Sequence, residues 1–257
     1  MSLSTFYYKP REQDVASNEA IVQDIRTIIE NLAESGYRTV TTILQRDRTI
    51  NHKRVLRIMR ENGLLCRKNK RFQTGTTDSR HRYRKYPNIA KDFVTTDINQ
   101  VVVGDVTAYN IRGTDHYCAS LIDRHNREVI GVAVSDRNDT ALFIAALENA
   151  HYNRPSLEGC IHHTDADVRY CSNNYISRVN ELGMKISMCV DNVYENAHAE
   201  SFNSTIKRQV INISDFDCKE ESAESIFQFI ILYNSYRPHS SLGGMTPIEY
   251  KMAIKKE

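Results

Sequence analysis

Apolar positions between residues 21 and 62 recur with a helical period. Ile21, Val22, Ile25, Ile28, Ile29 and Leu32 form one stripe, with Ser17 and Asn18 placed to cap its start and Gly36 placed to stop it. Residues 38–46 predict a second, short helix with Val40, Ile43 and Leu44 facing inward. The turn DRTI follows, and Asn51 is placed to cap a third helix, NHKRVLRIMREN, which Gly63 ends. From Ile98 the period changes. VVVGDVTAY, HYCASLID and EVIGVAVS are strand-length apolar runs separated by IRGTD and RHNR. A helical stretch DTALFIAALENAHY comes next, then a short strand in GCIHHTD, a helix around NNYISRVNEL and a strand at KISMCV. A long helix from about Glu195 to Ile211, a last helix ESAESIFQFIILYNSY and the tail RPHSSLGGMTPIEY complete the chain. Three strands, then helix, strand, helix, strand and two helices describe a mixed five-stranded α/β sheet with helices on its faces.

Two different patterns in 257 residues favour two domains. No apolar run approaches the roughly 18 residues needed to cross a bilayer, and the start MSLSTFYYKPREQ has no apolar core of a signal peptide. A cytoplasmic chain with no membrane partner is therefore expected. Its six cysteines, none in a C-x-x-C pair, are expected to be reduced thiols.

Charge changes the picture more than composition does. The whole chain is formally +2, yet Lys53–Lys85 holds twelve Lys/Arg against only Glu61 and Asp78, which leaves 22 bases and 30 acids elsewhere. Such segregation is a footprint for a polyanion, most often nucleic acid; a solvated linker is the plainer alternative. On the third helix Val55, Ile58 and Met59 form the apolar stripe, while Lys53, Arg57 and Arg60 share another face. Helix, turn and basic-faced helix have the layout of a helix-turn-helix DNA reader, and a small bundle with a charged face would look the same. Residues 66–92 interleave bases with Phe72, Tyr83 and Tyr86 without an apolar period, as an extended connector able to track phosphates would. The expected division is a helical DNA-binding domain at 1–65, a basic linker at 66–95 and an α/β domain at 96–257.

Asp105 sits inside the first strand run and Asp165 ends the short strand. A charge in the middle of VVVGDVTAY costs several kcal/mol unless it is paired or metal-bound. Glu200 lies on the long helix, with 34 residues between it and Asp165. Three carboxylates suit hard divalent ions that bind phosphate oxygens, and two such ions support in-line displacement at a phosphodiester. Structural acids held by backbone donors or arginine are the competing reading.

VVVGDVTAY, HTDADVRYCS, YENAHAESFNSTIK and YNSYRPHSSLGGMTPIEY resemble the catalytic core of insertion-sequence transposases of the retroviral-integrase (DDE) superfamily, whose fold is ribonuclease-H-like. DRHNREVIGVAVSDRNDTALFIAALENA resembles the same core, and SGYRTVTTILQRDRTINHKRVLRIMRENGLL is similar to the helix-turn-helix segment preceding it. Most of the chain is covered, about residues 36–65 and 98–250. The resemblance implies a DNA transposase whose metal-binding triad is Asp105, Asp165 and Glu200. It implies two Mg²⁺ ions (Mn²⁺ as a substitute), cleavage at element ends and joining of the freed 3′-hydroxyl to target DNA. It further implies a prokaryotic, nucleoid-associated enzyme acting on double-stranded terminal inverted repeats as a homodimer or higher assembly. A fusion with the product of an upstream reading frame is common in the family, so this chain is expected to be the catalytic frame. A decayed, DNA-binding relative is the alternative, and a nuclease that cuts without joining is a third.

The sequence departs from the family where Asp167 and Arg169 replace a Gly and a Gln. The loop CVDNVYENA is one residue short, with Glu195 where Asp is usual, so the Asp165–Glu200 spacing is one below the common value. By resemblance Lys207, seven residues after Glu200, contacts DNA. Asn196, one turn before Glu200, binds DNA, orients Glu200 or only caps the helix. Arg237 of the YRPH tail binds a carboxylate or phosphate and is counted among the DNA contacts. His162 and His163 read as members of a polar network, Asp123 as a structural acid pairing with Arg124 or Arg127, and Asp167 and Asp191 as solvent-facing loop acids.

Overall fold

The computed structural model describes residues 12–66, 81–189 and 196–255, with side chains from residue 18. The chain divides into two compact units, Met1–Lys68 and Asn69–Glu257. In the first unit, α1 (Glu12–Asn31), α2 (Tyr37–Leu44) and α3 (His52–Glu61) pack pairwise against one another. The predicted stripes supply the core: Ile21, Ile25, Ile28 and Leu32, then Val40, Ile43 and Leu44, then Val55, Ile58 and Met59 are all buried. Asn51 caps α3 by accepting from the Lys53 backbone N–H at 2.8 Å. Gly63, in the left-handed region at φ +67°, lets Leu64 N–H return to Met59 O at 2.8 Å.

Two boundaries differ from expectation. The first helix begins at Glu12, so Ser17 and Asn18 lie inside it; no breaker interrupts EQDVAS, and helix propensity carries the turn upstream. Asn18 ties helices together instead, its Oδ1 accepting from Arg54 Nη2 at 2.8 Å and Nε at 3.1 Å. Gly36 does not stop α1. The left-handed residue is Glu34 at φ +52°, and Gly36 is the extended residue that opens α2.

The second unit holds β1 (Val101–Ile111), β2 (Thr114–Asp123), β3 (Val129–Ser135), α4 (Thr140–Asn153), β4 (Ile161–Asp165), α5 (Asn173–Glu181) and β5 (Lys185–Cys189). It continues with α6 (Ala197–Ile206), a π-helical turn (Lys207–Ile211), α7 (Lys219–Ser235), a short 3₁₀ turn (Ser240–Leu242) and α8 (Pro247–Ile254). The sheet order is β3-β2-β1-β4-β5, antiparallel from β3 to β1 and parallel from β1 to β5. This is the mixed, five-stranded, ribonuclease-H-like sheet that the element order predicts. Strand alternation divides the faces. Val102 and Val106 enter a core with Ala119, Leu121, Leu142, Phe143, Ala146 and Leu147, whereas Asp105 and Tyr109 meet α6 and α7 through Asn203 and Ser222. Asp139 caps α4, accepting from Leu142 N–H. Gly131 lets α4 come close, because a Cβ there would lie 2.4 Å from Ala146 O and 2.6 Å from Ala150 Cβ.

The predicted pairing of Asp123 is corrected. This fully buried carboxylate accepts from the backbone N–H groups of Asn99 and His125 and faces Arg154 at 3.7 Å, rather than Arg124 or Arg127. Arg124 reaches the carbonyls of Ala90 and Phe93. Where a linker was expected up to residue 95, the chain from His81 lies against the core. His81 meets Ala166 O at 2.9 Å, and the Ile89 and Ala90 N–H groups donate to Ser187 Oγ. Helix α8 was not foreseen, although its capping box is written in Thr246, Pro247 and Glu249. Among the described residues no helix is long and apolar enough to cross a membrane, and all six cysteines are free. Gly131→Ala is expected to lower the free energy of unfolding by about 1–3 kcal/mol or more, through overpacking against helix backbone. Urea denaturation of this variant at wild-type stability would mean that α4 does not seat as described.

Candidate active site

Asp105 and Asp165 are brought together by strand register. The parallel pairs Val101–Ile161, Val102–His162 and Val103–His163 end two residues before each acid, so Asp105 and Asp165 leave this ladder at equivalent positions on neighbouring strands. Alternation then turns both toward the face that α6 covers. Helix α6 is fastened at two points. The Asn196 side-chain amide donates to Gly104 O at 3.0 Å, and that of Asn203 donates to Asp105 Oδ2 at 2.8 Å. Glu200 lies between these anchors at helical spacing, so it shares their face. The other oxygen of Asp105 accepts from Val106 N–H at 2.8 Å.

Burial, and after it the charge of Asp165, push the Asp105 carboxyl up to about 7, and the charge of Glu200 acts in the same direction. Asp105 therefore feels both other acids. Among the described residues no three His, Cys, Asp or Glu side chains stand close enough to hold a metal ion as placed. The donor set itself, oxygen-only, like-charged and partly withdrawn from water, fits a hard divalent cation, which would offset the repulsion. Lys207 begins the π turn half-buried. Burial pulls its ammonium below the usual range while the charge of Asp105 opposes that shift.

Beneath the acids Gly104 leaves room for a packed floor: a Cβ there would meet His162 Cε1 at 3.1 Å and Thr164 Cγ2 and Tyr170 Oη at 3.3 Å. Tyr170 meets Phe143 edge-on at 4.4 Å. His162 Nε2 bonds Tyr175 Oη at 2.7 Å and His163 Nδ1 bonds Ser187 Oγ at 2.9 Å, the polar network expected of them. Burial holds the His162 imidazole down to about 4.

Asp167 is not a solvent-facing acid. It is buried and ion-paired with Arg169, whose Nη1 also reaches Asn138 O at 3.3 Å and whose guanidinium lies 5.6 Å from the Phe143 ring centre. Two departures from the family pattern thus form one pair, and Asp167 N–H donates to Asp165 Oδ1 at 3.2 Å. Asp191, Glu195 and the shortened loop lie outside the described residues.

Asn196 occupies the N-cap position without a side-chain cap bond, and its duty is the bond to β1. Arg237 stacks over Tyr233 at 5.6 Å. In the other unit Lys53, Arg57 and Arg60 are exposed on α3, Arg57 lying 3.9 Å from Glu61. Sequence reasoning missed Asn203 and Arg154. Asn203 had a signal, its spacing of three from Glu200 and seven from Asn196, whereas Arg154 had none.

Family models describing an integrase core domain match residues 96–192 and 186–247, and one describing an HTH-like domain matches residues 16–72. The InsK protein of insertion sequence element IS150 from Escherichia coli K12 is 32% identical over 261 residues, covering 96% of this chain and 89% of that one. The transposase of insertion sequence element IS904 from Lactococcus lactis subsp. lactis IL1403 is 29% identical over 257 residues, covering 95% and 97%. Among solved structures, the trimeric form of the HTLV-2 integrase catalytic core domain in complex with magnesium superposes with a TM-score of 0.50 at 17% identity, over 61% of this chain and 98% of that one. The simian T-cell lymphotropic virus intasome reaches 0.53 at 12% identity, over 84% and 70%.

Arg169→Ala removes the guanidinium from the buried Asp167 carboxylate and is expected to cost about 3–5 kcal/mol of stability. The double change Asp167→Gly with Arg169→Gln, the family's usual pair, should recover most of it. A double-mutant cycle in urea checks this coupling. His162 is neutral in the fold with its proton affinity depressed, so the unfolded chain binds more protons between about 6.5 and 4. Stability should therefore fall as pH drops through that window, and His162→Gln should flatten the slope of unfolding free energy against pH.

Proposed function

The chain belongs to the insertion-sequence transposases of the DDE/integrase superfamily and is a polynucleotidyl transferase, and on that premise we propose that Asp105, Asp165 and Glu200 are its catalytic triad. The observation that carries the reading is the position of Asp105: a half-buried strand carboxylate, raised in proton affinity by burial first and then by the charges of Asp165 and Glu200, and held by Asn203. Two divalent cations, Mg²⁺ or Mn²⁺, bound by these three residues would stabilise the attacking and leaving oxygens at a phosphodiester. Everything else falls to the chain. Val106 N–H and Asn203 fix the two oxygens of Asp105, Asp167 N–H fixes one of Asp165, and Asn196 with Asn203 sets the helix that carries Glu200. Lys207, two turns beyond Glu200, supplies a cation for a DNA phosphate beside the acids.

The reaction needs no covalent nucleophile on the protein. Water attacks at the element end, forming a new P–O bond as the old one breaks, and frees a 3′-hydroxyl. That hydroxyl then attacks a target phosphodiester and joins the strands. The first 65 residues serve as the DNA-binding domain through Lys53, Arg57 and Arg60, and residues 96–257 form the catalytic core. The partners are double-stranded DNA, both terminal inverted repeats and target. Two ends held together call for a homodimer or larger assembly, with or without a fused upstream frame, in a prokaryotic cytoplasm at the nucleoid.

The test is a Mg²⁺-dependent assay of the full chain on labelled DNA carrying the element's own ends. Cleaved and joined products support the proposal, cleavage without joining marks a nuclease, and a band shift without cleavage marks a decayed relative. Asp105→Asn, Asp165→Asn and Glu200→Gln should each lower cleavage at least about a hundredfold, the scale of losing one transition-state stabiliser, while retaining DNA binding. Near-normal turnover in any of the three would remove that residue from the site.

A further inference from the structure

The stretch that precedes the catalytic unit's first strand is fastened to the core at three places. Its anchor at the middle is Ser187 on β5, fully buried, whose Oγ accepts from Ile89 N–H at 3.1 Å and Ala90 N–H at 3.2 Å and bonds His163 Nδ1 at 2.9 Å. Behind it Arg124 Nη1 donates to Ala90 O at 2.8 Å, and Nη2 donates to Phe93 O. Ahead of it Tyr86 packs on the apolar core, and His81 Nε2 meets Ala166 O at 2.9 Å. Ala166 is buried and follows Asp165 directly.

The carbonyl that His81 meets belongs to the same peptide group as the Asp167 N–H, and that N–H donates to Asp165 Oδ1 at 3.2 Å. A carbonyl oxygen only accepts, so His81 Nε2 carries the proton and donates. The peptide group is planar, so a rotation that swings the Ala166 oxygen off His81 also swings the Asp167 N–H off the acid. A donor on the oxygen further polarises the N–H at the other end of the group and strengthens its bond to the carboxylate. A hydrogen bond positions an acid only when its own donor is held. Here Tyr83 lies against the His81 ring at 5.7 Å, and Ser187 and Arg124 hold the chain behind it. On the other side of the turn the Asp167–Arg169 pair and its bond to Asn138 O complete the clamp.

We infer that His81 is a positioning residue for Asp165, acting through the Ala166–Asp167 peptide group, and that docking of residues 81–93 on the core is a requirement for a competent acid site. Releasing this stretch from Ser187 frees His81, unlocks the peptide plane and loosens the carboxylate. The chain that leads to the helical unit is thereby coupled to the chemistry through one histidine. That Asp165 holds a metal ion rests on the proposed function; the hold of His81 on the turn does not.

The test uses the full chain with His81→Ala, His81→Gln and Ser187→Ala. Amide exchange, Mn²⁺ affinity by titration calorimetry, metal-free DNA affinity, and kcat and KM for cleavage are measured on each. In His81→Ala the Asp167 amide should exchange faster. Mn²⁺ affinity and kcat should fall about 10–100-fold, the scale of losing a group that orients a metal ligand, with KM and metal-free DNA affinity unchanged. His81→Gln, whose amide nitrogen replaces Nε2 as donor, should restore all three. Ser187→Ala should speed exchange at Ile89 and Ala90 and lower Mn²⁺ affinity in the same direction. Unchanged Mn²⁺ affinity in His81→Ala overturns the inference. So does a Gln variant no better than Ala, which would reduce the ring to packing. A loss confined to KM and DNA affinity would make His81 a DNA contact and overturn it equally. Faster exchange at Ile89 and Ala90 with intact Mn²⁺ affinity would remove the docked stretch from the site. A wild-type chain that neither binds Mn²⁺ nor cleaves sinks the proposed function, and exchange at Asp167 then decides alone whether His81 holds the turn.

Discussion

The placement of one carboxylate governs the catalytic unit. Asp105 stands on β1, the strand where the antiparallel hairpins meet the parallel half of the sheet. Ionising it there is opposed by burial and by two other acids. The surroundings answer that cost with fixed donors, a backbone N–H on one oxygen and the Asn203 amide on the other. A divalent cation would supply the rest. Neighbouring parallel strands for the two aspartates and a helix pinned on both sides of Glu200 bring both other acids within electrostatic reach of Asp105.

The same reasoning explains why the unusual residues after Asp165 are tolerated. Asp167 alone would bury an uncompensated charge next to a site already crowded with acids. With Arg169 it becomes a neutral pair that also seats against Phe143 and the Asn138 carbonyl. Buried ion pairs of this kind contribute little net stability but make the loss of either partner expensive. Asp123 follows the same rule at the end of β2, where two backbone donors and Arg154 offset part of the cost of its burial.

Much of this was legible from the chain. The helical stripe of Ile21 to Leu32, the change to strand-length runs after Ile98 and the order of elements follow from local periodicity, and a local signal needs no tertiary context. Asp105 was conspicuous because a carboxylate inside an apolar strand demands a partner, and the resemblance to integrase cores joined it to Asp165 and Glu200. Other features were set by distance in three dimensions. Asn203 gains meaning only when α6 lies across β1, and Arg154 reaches Asp123 from the far end of α4. Asp167 changed from surface acid to buried pair because neighbouring elements close over it. Periodicity encodes which face of a segment is apolar; which charges then meet depends on how those faces stack, and only the folded chain decides that.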